Sequence, residues 1–378
     1  MRVATIPGDD GTLVITFPSY DREARRDGPA FAERLLRRHG LSAIHVTVGW
    51  SHWFQVPETD AALAAIRAVA RSFRRVVTYG SSMGGYAAAA CSRGVGAHAI
   101  LALCPQISVD RAKVPWEPHW AEAAARIAAT TGFGRDDMAS NLARDAALHL
   151  VFDPRMRDAR HAAPLLALSA RPRPLLLPFS GHSVGEFLRD AGALRGYVLS
   201  VLRGEGGAEA AARRAVRPWR RGSATWWMNL SLRAQRRPAL AVAAARRALE
   251  LAPENEHALR ALGDAHRAAG DAAQAARLYA GLVTRAPRNG LYRLLLADSL
   301  LRTGHVSQAA KAYAAAAGLR PDDHRPQIGL CAALAIAGKT ASARAALERA
   351  KVLGAPREVL RRAGEGLSPA VPGRAAAG

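Results

Sequence analysis

Gly80-Ser81-Ser82-Met83-Gly84-Gly85 separates a β-branched run, Arg75–Tyr79, from the alanine-rich stretch Tyr86–Ala90. The first reads as a strand and the second as part of a helix over Gly84–Arg93, so a Gly-x-Ser-x-Gly pattern falls at a strand–turn–helix junction. The physical demand there is specific. A nucleophile on so tight a bend needs unfavourable backbone angles, and its neighbours two before and two after must lack side chains. Ser82 Oγ would stand clear of the sheet's carboxyl end, where a helix N-terminus favours a developing oxyanion.

Outward from this junction, short apolar runs alternate with helical stretches up to about residue 203. Strands are expected over Val3–Ile6, Thr12–Phe17, Ala43–Val48, Arg75–Tyr79, Ala99–Leu103, Leu148–Phe152 and Pro174–Pro178, with a turn at Asp9-Asp10-Gly11. Helices are expected over Phe31–Arg38, Asp60–Phe73, Gly84–Arg93, Ala159–Ala167 and Val184–Leu202, with an irregular, partly helical insertion after Leu103. Alternation of this kind implies an α/β domain whose mostly parallel sheet is covered on both faces.

A serine nucleophile needs a base, and chain order offers a test. His182, in Ser180-Gly181-His182-Ser183, follows the last strand; Asp153 and Asp158 follow the one before it. Ser, then acid, then His is the order of an α/β-hydrolase triad. Asp153 ends its strand directly, whereas Asp158 better fits a loop-then-helix position and is slightly preferred. His161 reads as a helix-face residue and His98 as a solvated loop residue. Cys104, with no helix N-terminus or base near it in sequence, reads as inert.

Residues 1–203 resemble an α/β-hydrolase, and Tyr79-Gly80-Ser81-Ser82-Met83-Gly84-Gly85-Tyr86 resembles the elbow of esterases and acyl hydrolases. The resemblance implies an oxyanion hole built from Met83 N–H and a donor after an early strand, here Phe17 or Ser19, since Pro18 has no N–H. The sequence departs from that pattern in lacking an HGGG or HG loop and in having no large cap beyond Pro105–Asn141. Loops at strand carboxyl ends form the crevice of such folds. Gly49–Gln55 and Cys104–Ser108 should therefore reach the same face, making Trp53, Gln55 and Gln106 candidate substrate-binding residues; the aromatic cluster serves equally as a substrate wall or as a plug over the sheet edge.

Composition changes beyond residue 204. Pro253, Pro287 and Pro321 are spaced by 34 residues, a period of stacked helix pairs. In that register Ala241, Ala275, Ala309 and Ala343 coincide, as do Ala248, Leu282, Ala316 and Ala350, and as do Ala245, Tyr279, Tyr313 and Leu347. Leu262-Gly263, Leu296-Ala297 and Leu330-Cys331 occupy the place where two helices must approach closely. Residues 224–356 thus resemble tetratricopeptide (TPR) repeats with a degenerate first unit, which implies an all-α solenoid and a protein partner. Residues 204–223, holding Arg213, Arg214, Arg217, Arg220 and Arg221, read as a basic linker, and residues 357–378 as a flexible tail.

The chain has 378 residues, 49% hydrophobic and 22% charged, which excludes general disorder and is enough for two or three domains. Its net charge is +22. Nearly all cations are arginine in an alanine- and glycine-rich background, without zinc-finger spacing, an RNP motif or interleaved aromatics. The charge therefore reads as compositional, with nucleic acid an unlikely partner. Three scattered cysteines (Cys91, Cys104, Cys331) suggest neither a disulfide framework nor a metal site, and no cofactor is expected. With no apolar stretch behind a basic start and no run of 18 apolar residues, the expected location is the cytoplasm. The sequence reads best as a serine hydrolase of a small-molecule or carrier-bound ester or thioester, cleaved through an acyl-enzyme. The alternative is a catalytically silent scaffold whose repeats bind a protein partner.

Overall fold

The computed structural model describes residues 2–8, 11–21 and 29–365. Two compact units divide the chain, Met1–Trp226 and Trp227–Gly378. The turn expected at Asp9-Asp10-Gly11 lies largely outside the described residues, as does the tail beyond residue 365.

The first unit holds seven strands: β1 (Arg2–Ile6), β2 (Thr12–Phe17), β3 (Ser42–Thr47), β4 (Arg75–Ser81), β5 (Ala99–Leu103), β6 (Ala147–Phe152) and β7 (Pro172–Leu176). They form one sheet in the order β1-β3-β2-β4-β5-β6-β7. β1 runs antiparallel to β3, and every other pairing is parallel. Both faces are covered, so the central strands β2 and β5 are buried along their whole length rather than alternating between core and solvent. Ile100 and Ala102 of β5 enter one core, with Ile15 and Phe17 of β2; Ala99, Leu101 and Leu103 enter the other, with Val14. Pro172 and Pro174, which cannot donate to a ladder, are tolerated because β7 is an edge.

The helices of this unit are α1 (Glu33–Arg38), α2 (Glu58–Ala70), α3 (Met83–Ala90), α4 (Ser92–Val95), α5 (Ala121–Thr130), α6 (Met138–Asn141), α7 (Asp158–Leu168), α8 (Val184–Asp190), α9 (Leu194–Arg203) and α10 (Ala208–Trp219). Two helices expected to be continuous are broken. Gly84–Arg93 divides at Cys91, and Val184–Leu202 divides where Gly192 adopts φ 68°. The expected basic linker is a correction of larger consequence. Over 204–223 the chain forms α10, whose Ala208, Ala212 and Val216 are buried in the same core as Leu175 and Val198. Its arginines line the opposite face of an amphipathic helix that belongs to the first unit.

α5 and α6 lie in the insertion between β5 and β6, and α3 is tied to it by buried polar groups. Tyr86 donates to Asp136 Oδ1 at 3.0 Å, Ser108 donates to its Oδ2 at 2.5 Å, and Gln55 Nε2 donates to Tyr86 Oη at 2.8 Å. Burial pushes the Asp136 carboxyl up, against the donors that favour its charge.

The chain then continues through α11 (Ala224–Arg233) into α12 (Pro238–Leu251), α13 (Glu256–Ala268), α14 (Ala272–Arg285), α15 (Gly290–Arg302), α16 (Val306–Leu319), α17 (His324–Ile336), α18 (Thr340–Val352) and α19 (Arg357–Glu365). Each helix from α12 to α18 packs on the next, giving a solenoid-like array. The small residues placed in register by the 34-residue period are its buried layer: Ala241, Ala275, Ala309 and Ala343 are all fully buried, as are Ala248, Leu282, Ala316 and Ala350. A Cβ on Gly263 would stand 2.6 Å from the Tyr279 ring, so close approach of α13 and α14 requires glycine there. The same period recurs in Asn255, Asn289 and Asp323, whose side chains cap α13, α15 and α17, and in Gly270, Gly304 and Gly338, which turn the chain after those helices with φ of 85°, 80° and 73°. Part of the expected tail is ordered as well, since Arg357–Glu365 is helix α19.

Candidate active site

Ser82 follows β4 and precedes α3 with φ 54° and ψ −119°, a conformation that costs a non-glycine residue on the order of 1–3 kcal/mol. Two features hold it there. Ser82 N–H donates to Leu103 O at 2.8 Å, anchoring the bend to β5. The glycines around it make room: a Cβ on Gly80 would lie 2.2 Å from Gly84 O, one on Gly84 would lie 2.4 Å from Phe17 O, and one on Gly85 would lie 2.8 Å from Leu103 O. Each of these contacts is with backbone, which cannot step aside.

The strain is not confined to Ser82. Trp53, Phe54, Cys104 and Phe179 also have positive φ, and all follow carboxyl ends of strands. Such residues persist only where surrounding structure over-determines them, and they concentrate at functional sites.

His182 reaches Ser82 from the loop after β7. Its Nε2 lies 3.0 Å from Ser82 Oγ, and its Nδ1 lies 3.0 and 3.1 Å from the two Asp158 oxygens. The tautomer that satisfies both contacts has Nδ1–H donating to Asp158 and Nε2 accepting the Ser82 hydroxyl proton. Burial disfavours the charged imidazolium, but the Asp158 carboxylate outweighs it, and with Glu117 it raises the His182 pKa above 6.5. Asp158 itself opens α7, where the helix dipole favours a carboxylate. The His182 side chain is 42% exposed and Ser82 is 8% exposed, so the pair sits at a surface opening rather than inside the core.

Asp153, the other expected acid, does not touch the imidazole. Its oxygens accept from Gly181 N at 2.9 Å and Arg155 N at 2.8 Å. It pins the loop carrying His182 to the loop leading to Asp158.

Of the two roles the sequence left open for the aromatic cluster, substrate wall or plug, Trp53 and Gln55 have the burial of a plug. Trp53 is fully buried, and its indole N–H donates to Gln106 Oε1 at 3.3 Å. Gln55 is buried and spent on Trp53 O, Tyr86 and Arg135 N. They plug the sheet edge, because both side chains turn inward from the strained turn at Trp53 and Phe54. Gln106 is buried too, but its Nε2 lies 3.5 Å from Ser82 Oγ. Trp120 faces the imidazole at 6.2 Å, centroid to centroid, and meets Tyr20 and Trp53 in turn at steep interplanar angles of 59° and 62°. Trp120 comes from the insertion, where no periodicity marks a site; sequence reasoning missed it.

Of the two expected oxyanion segments, Met83 N–H is at the first helical position of α3 and so has no intrahelical acceptor. After β2, the Phe17 carbonyl faces the first turn of α3 at Gly84, while Ser19 is half-buried. His161 is buried on α7, its ring tilted against Trp116 at 4.5 Å, with Nδ1 accepting from Ile107 N at 3.2 Å; His98 is exposed.

Cys104 Sγ, Asp158 and His182 offer ligating atoms within 4.8 Å of one another. Two of the three are already joined by the imidazole–carboxylate hydrogen bond. The Cys104 thiol donates to His182 O at 2.6 Å, and burial pushes its pKa well up, which opposes the thiolate a metal would need.

No family model matches the chain, and no curated protein matches it. Among solved structures it is similar to a thermophilic TPR protein of Thermus thermophilus, at 23% identity over 38% of this chain and 81% of that one, with a TM-score of 0.34. It is also similar to YrrB, a TPR protein described as having an unusual peptide-binding site (14% identity, 47% of this chain, 90% of that one, TM-score 0.37). A third is pilF of Pseudomonas aeruginosa (17% identity, 49% of this chain, 85% of that one, TM-score 0.38).

Proposed function

We propose that the first unit is an α/β-hydrolase-like serine hydrolase that cleaves an ester or thioester through an acyl-enzyme. The observation that carries this reading is the hydrogen-bonded chain Ser82–His182–Asp158, with 3.0 Å at each link, on a strained bend after β4. Ser82 Oγ attacks the acyl carbon while His182 Nε2 takes its proton. Asp158 holds the tautomer and stabilises the imidazolium. Met83 N–H, with a donor from Phe17 or Ser19, stabilises the oxyanion. The imidazolium then gives its proton to the departing alcohol or thiol, and water, deprotonated by the same nitrogen, releases the acid. Asp153 fixes the two loops rather than the imidazole. Gln106 contacts the nucleophile, and Trp120 and Tyr20 supply the apolar wall that Trp53 and Gln55 do not.

The helix-pair array of the second unit would hold a protein partner or a carrier bearing the substrate. The cytoplasm is the proposed location, a reading supported by three cysteines that are free and buried. Among the described residues no helix is long and apolar enough to cross a membrane.

A fluorophosphonate probe on the full chain tests the chemistry. Ser82-dependent labelling, absent in Ser82→Ala, is expected. A folded wild-type chain that takes no label would leave a silent scaffold whose helical array does the binding.

A further inference from the structure

The net charge of +22 leaves one feature that the proposed reaction does not use. At the amino ends of β4 to β7 an open groove of about 930 Å³ is lined by Arg67, Arg75, Arg93, Arg144 and Arg171, with His98 beside them. Arg75 opens β4 and Ser82 follows its end, so groove and candidate nucleophile sit at opposite ends of a strand about 20 Å long.

None of the five guanidinium groups is ion-paired among the described residues. The groove has a single acid, Asp145. Four of the arginines are instead steered by backbone carbonyls. Arg75 donates to Leu202 O and Val201 O at the end of α9, Arg67 to Arg93 O of α4, Arg93 to Ser140 O, and Arg144 to Ala139 O. These bonds fix direction without cancelling charge, and each guanidinium keeps further N–H donors for an anion. Burial and the neighbouring Arg171 charge together push Arg75 below its ordinary pKa, so the cations repel one another across the groove. An anion between them would relieve that repulsion.

We propose that this groove binds a short oligophosphate group through its arginines, at a site separate from Ser82. Arginine forks match phosphate oxygens in pairs, and rigidly held forks lose less freedom on binding. The volume suits a small ligand. No Phe, Tyr or Trp lines the groove. A nucleic-acid strand would want aromatic platforms for its bases, so phosphate itself is what the groove reads.

Calorimetric titration of the full chain with tripolyphosphate tests this. Micromolar binding is expected, weakening steeply as salt rises from about 50 to about 300 mM. The double variant Arg144→Gln/Arg171→Gln should bind about tenfold or more weakly. A control of equal charge loss, Arg246→Gln/Arg344→Gln on the exposed surface of the helical array, should bind as the wild type does. Equal weakening in both variants would show diffuse attraction and overturn the site. A nucleoside triphosphate should bind like tripolyphosphate. A single-stranded oligonucleotide that outcompetes both at equal phosphate concentration would replace the proposal with a nucleic-acid surface. Circular dichroism of each variant separates lost binding from lost fold.

Discussion

Ser82 shows what a single residue contributes when its backbone is forced. Replacement by alanine and by glycine both delete the hydroxyl, but only glycine tolerates φ 54° without penalty. Ser82→Gly is therefore expected to be more stable than Ser82→Ala by about 1 kcal/mol, after allowing for glycine's extra freedom when unfolded, and neither should label. Paired thermal melts check this, and equal midpoints would mean the bend is unstrained. In the proposed reaction His182 is the base and sets the pH behaviour. Its raised pKa means that the base is protonated, and idle, up to a pH above 6.5, so kcat/KM should climb through a midpoint on that side. In Asp158→Asn the opposing influence, burial, remains while the carboxylate is gone. The midpoint should then fall below that of the wild type, with kcat down by about 10⁴. Asp153→Asn should leave the midpoint in place, because that carboxylate meets backbone N–H groups rather than the ring.

At the scale of elements, the helical array depends on close approach at recurring positions. A Cβ on Gly329 of α17 would stand 2.1 Å from the Tyr313 ring of α16. The ring cannot move freely, because Tyr313 donates to Asp298 of α15 at 2.6 Å. Gly329→Ala is expected to cost about 2 kcal/mol, measured as a lower urea midpoint by circular dichroism. Adding Tyr313→Phe should recover part of that loss, since the freed ring can turn away. A double variant no more stable than Gly329→Ala alone would show that the ring was never the obstacle. In the first unit, α3 carries the opposite lesson. Met83 to Ala90 are all buried, so the helix behind Ser82 is positioned by packing on every side.

At the scale of the molecule, the two units differ in what holds them. The sheet joins strands distant in sequence, whereas each helix of the array meets its neighbours in the chain. The first should unfold as one block and the second in a more graded way. Tryptophans 50, 53, 116, 120, 219 and 226 lie in the first unit, leaving only Trp227 of the seven in the second. Indole fluorescence therefore follows the sheet, while helical ellipticity follows both units. Urea curves from the two probes should not superimpose. Coincident curves would mean that the chain unfolds as a single cooperative body.

The sequence by itself determined the period-34 helix pairs and the strand–bend–helix junction at Ser82, because both depend on local demands: small residues where helices touch, and glycines where a bend leaves no room for Cβ. It also narrowed the imidazole's carboxylate partner in the proposed triad to Asp153 or Asp158. Which of these meets the imidazole was decided only by tertiary structure, since two loops far apart in sequence had to be brought face to face before one carboxylate could turn to the ring and the other to backbone amides. The same holds for Trp53 and Gln55, whose place after a strand's carboxyl end suited a crevice wall or a plug alike until packing drew them inward. It holds for the arginines of α10, which read as a solvated linker until Ala208, Ala212 and Val216, on the other face of the same helix, entered the first unit's core. It holds again for the groove arginines, spread over a hundred positions and gathered only by the parallel alignment of β4 to β7.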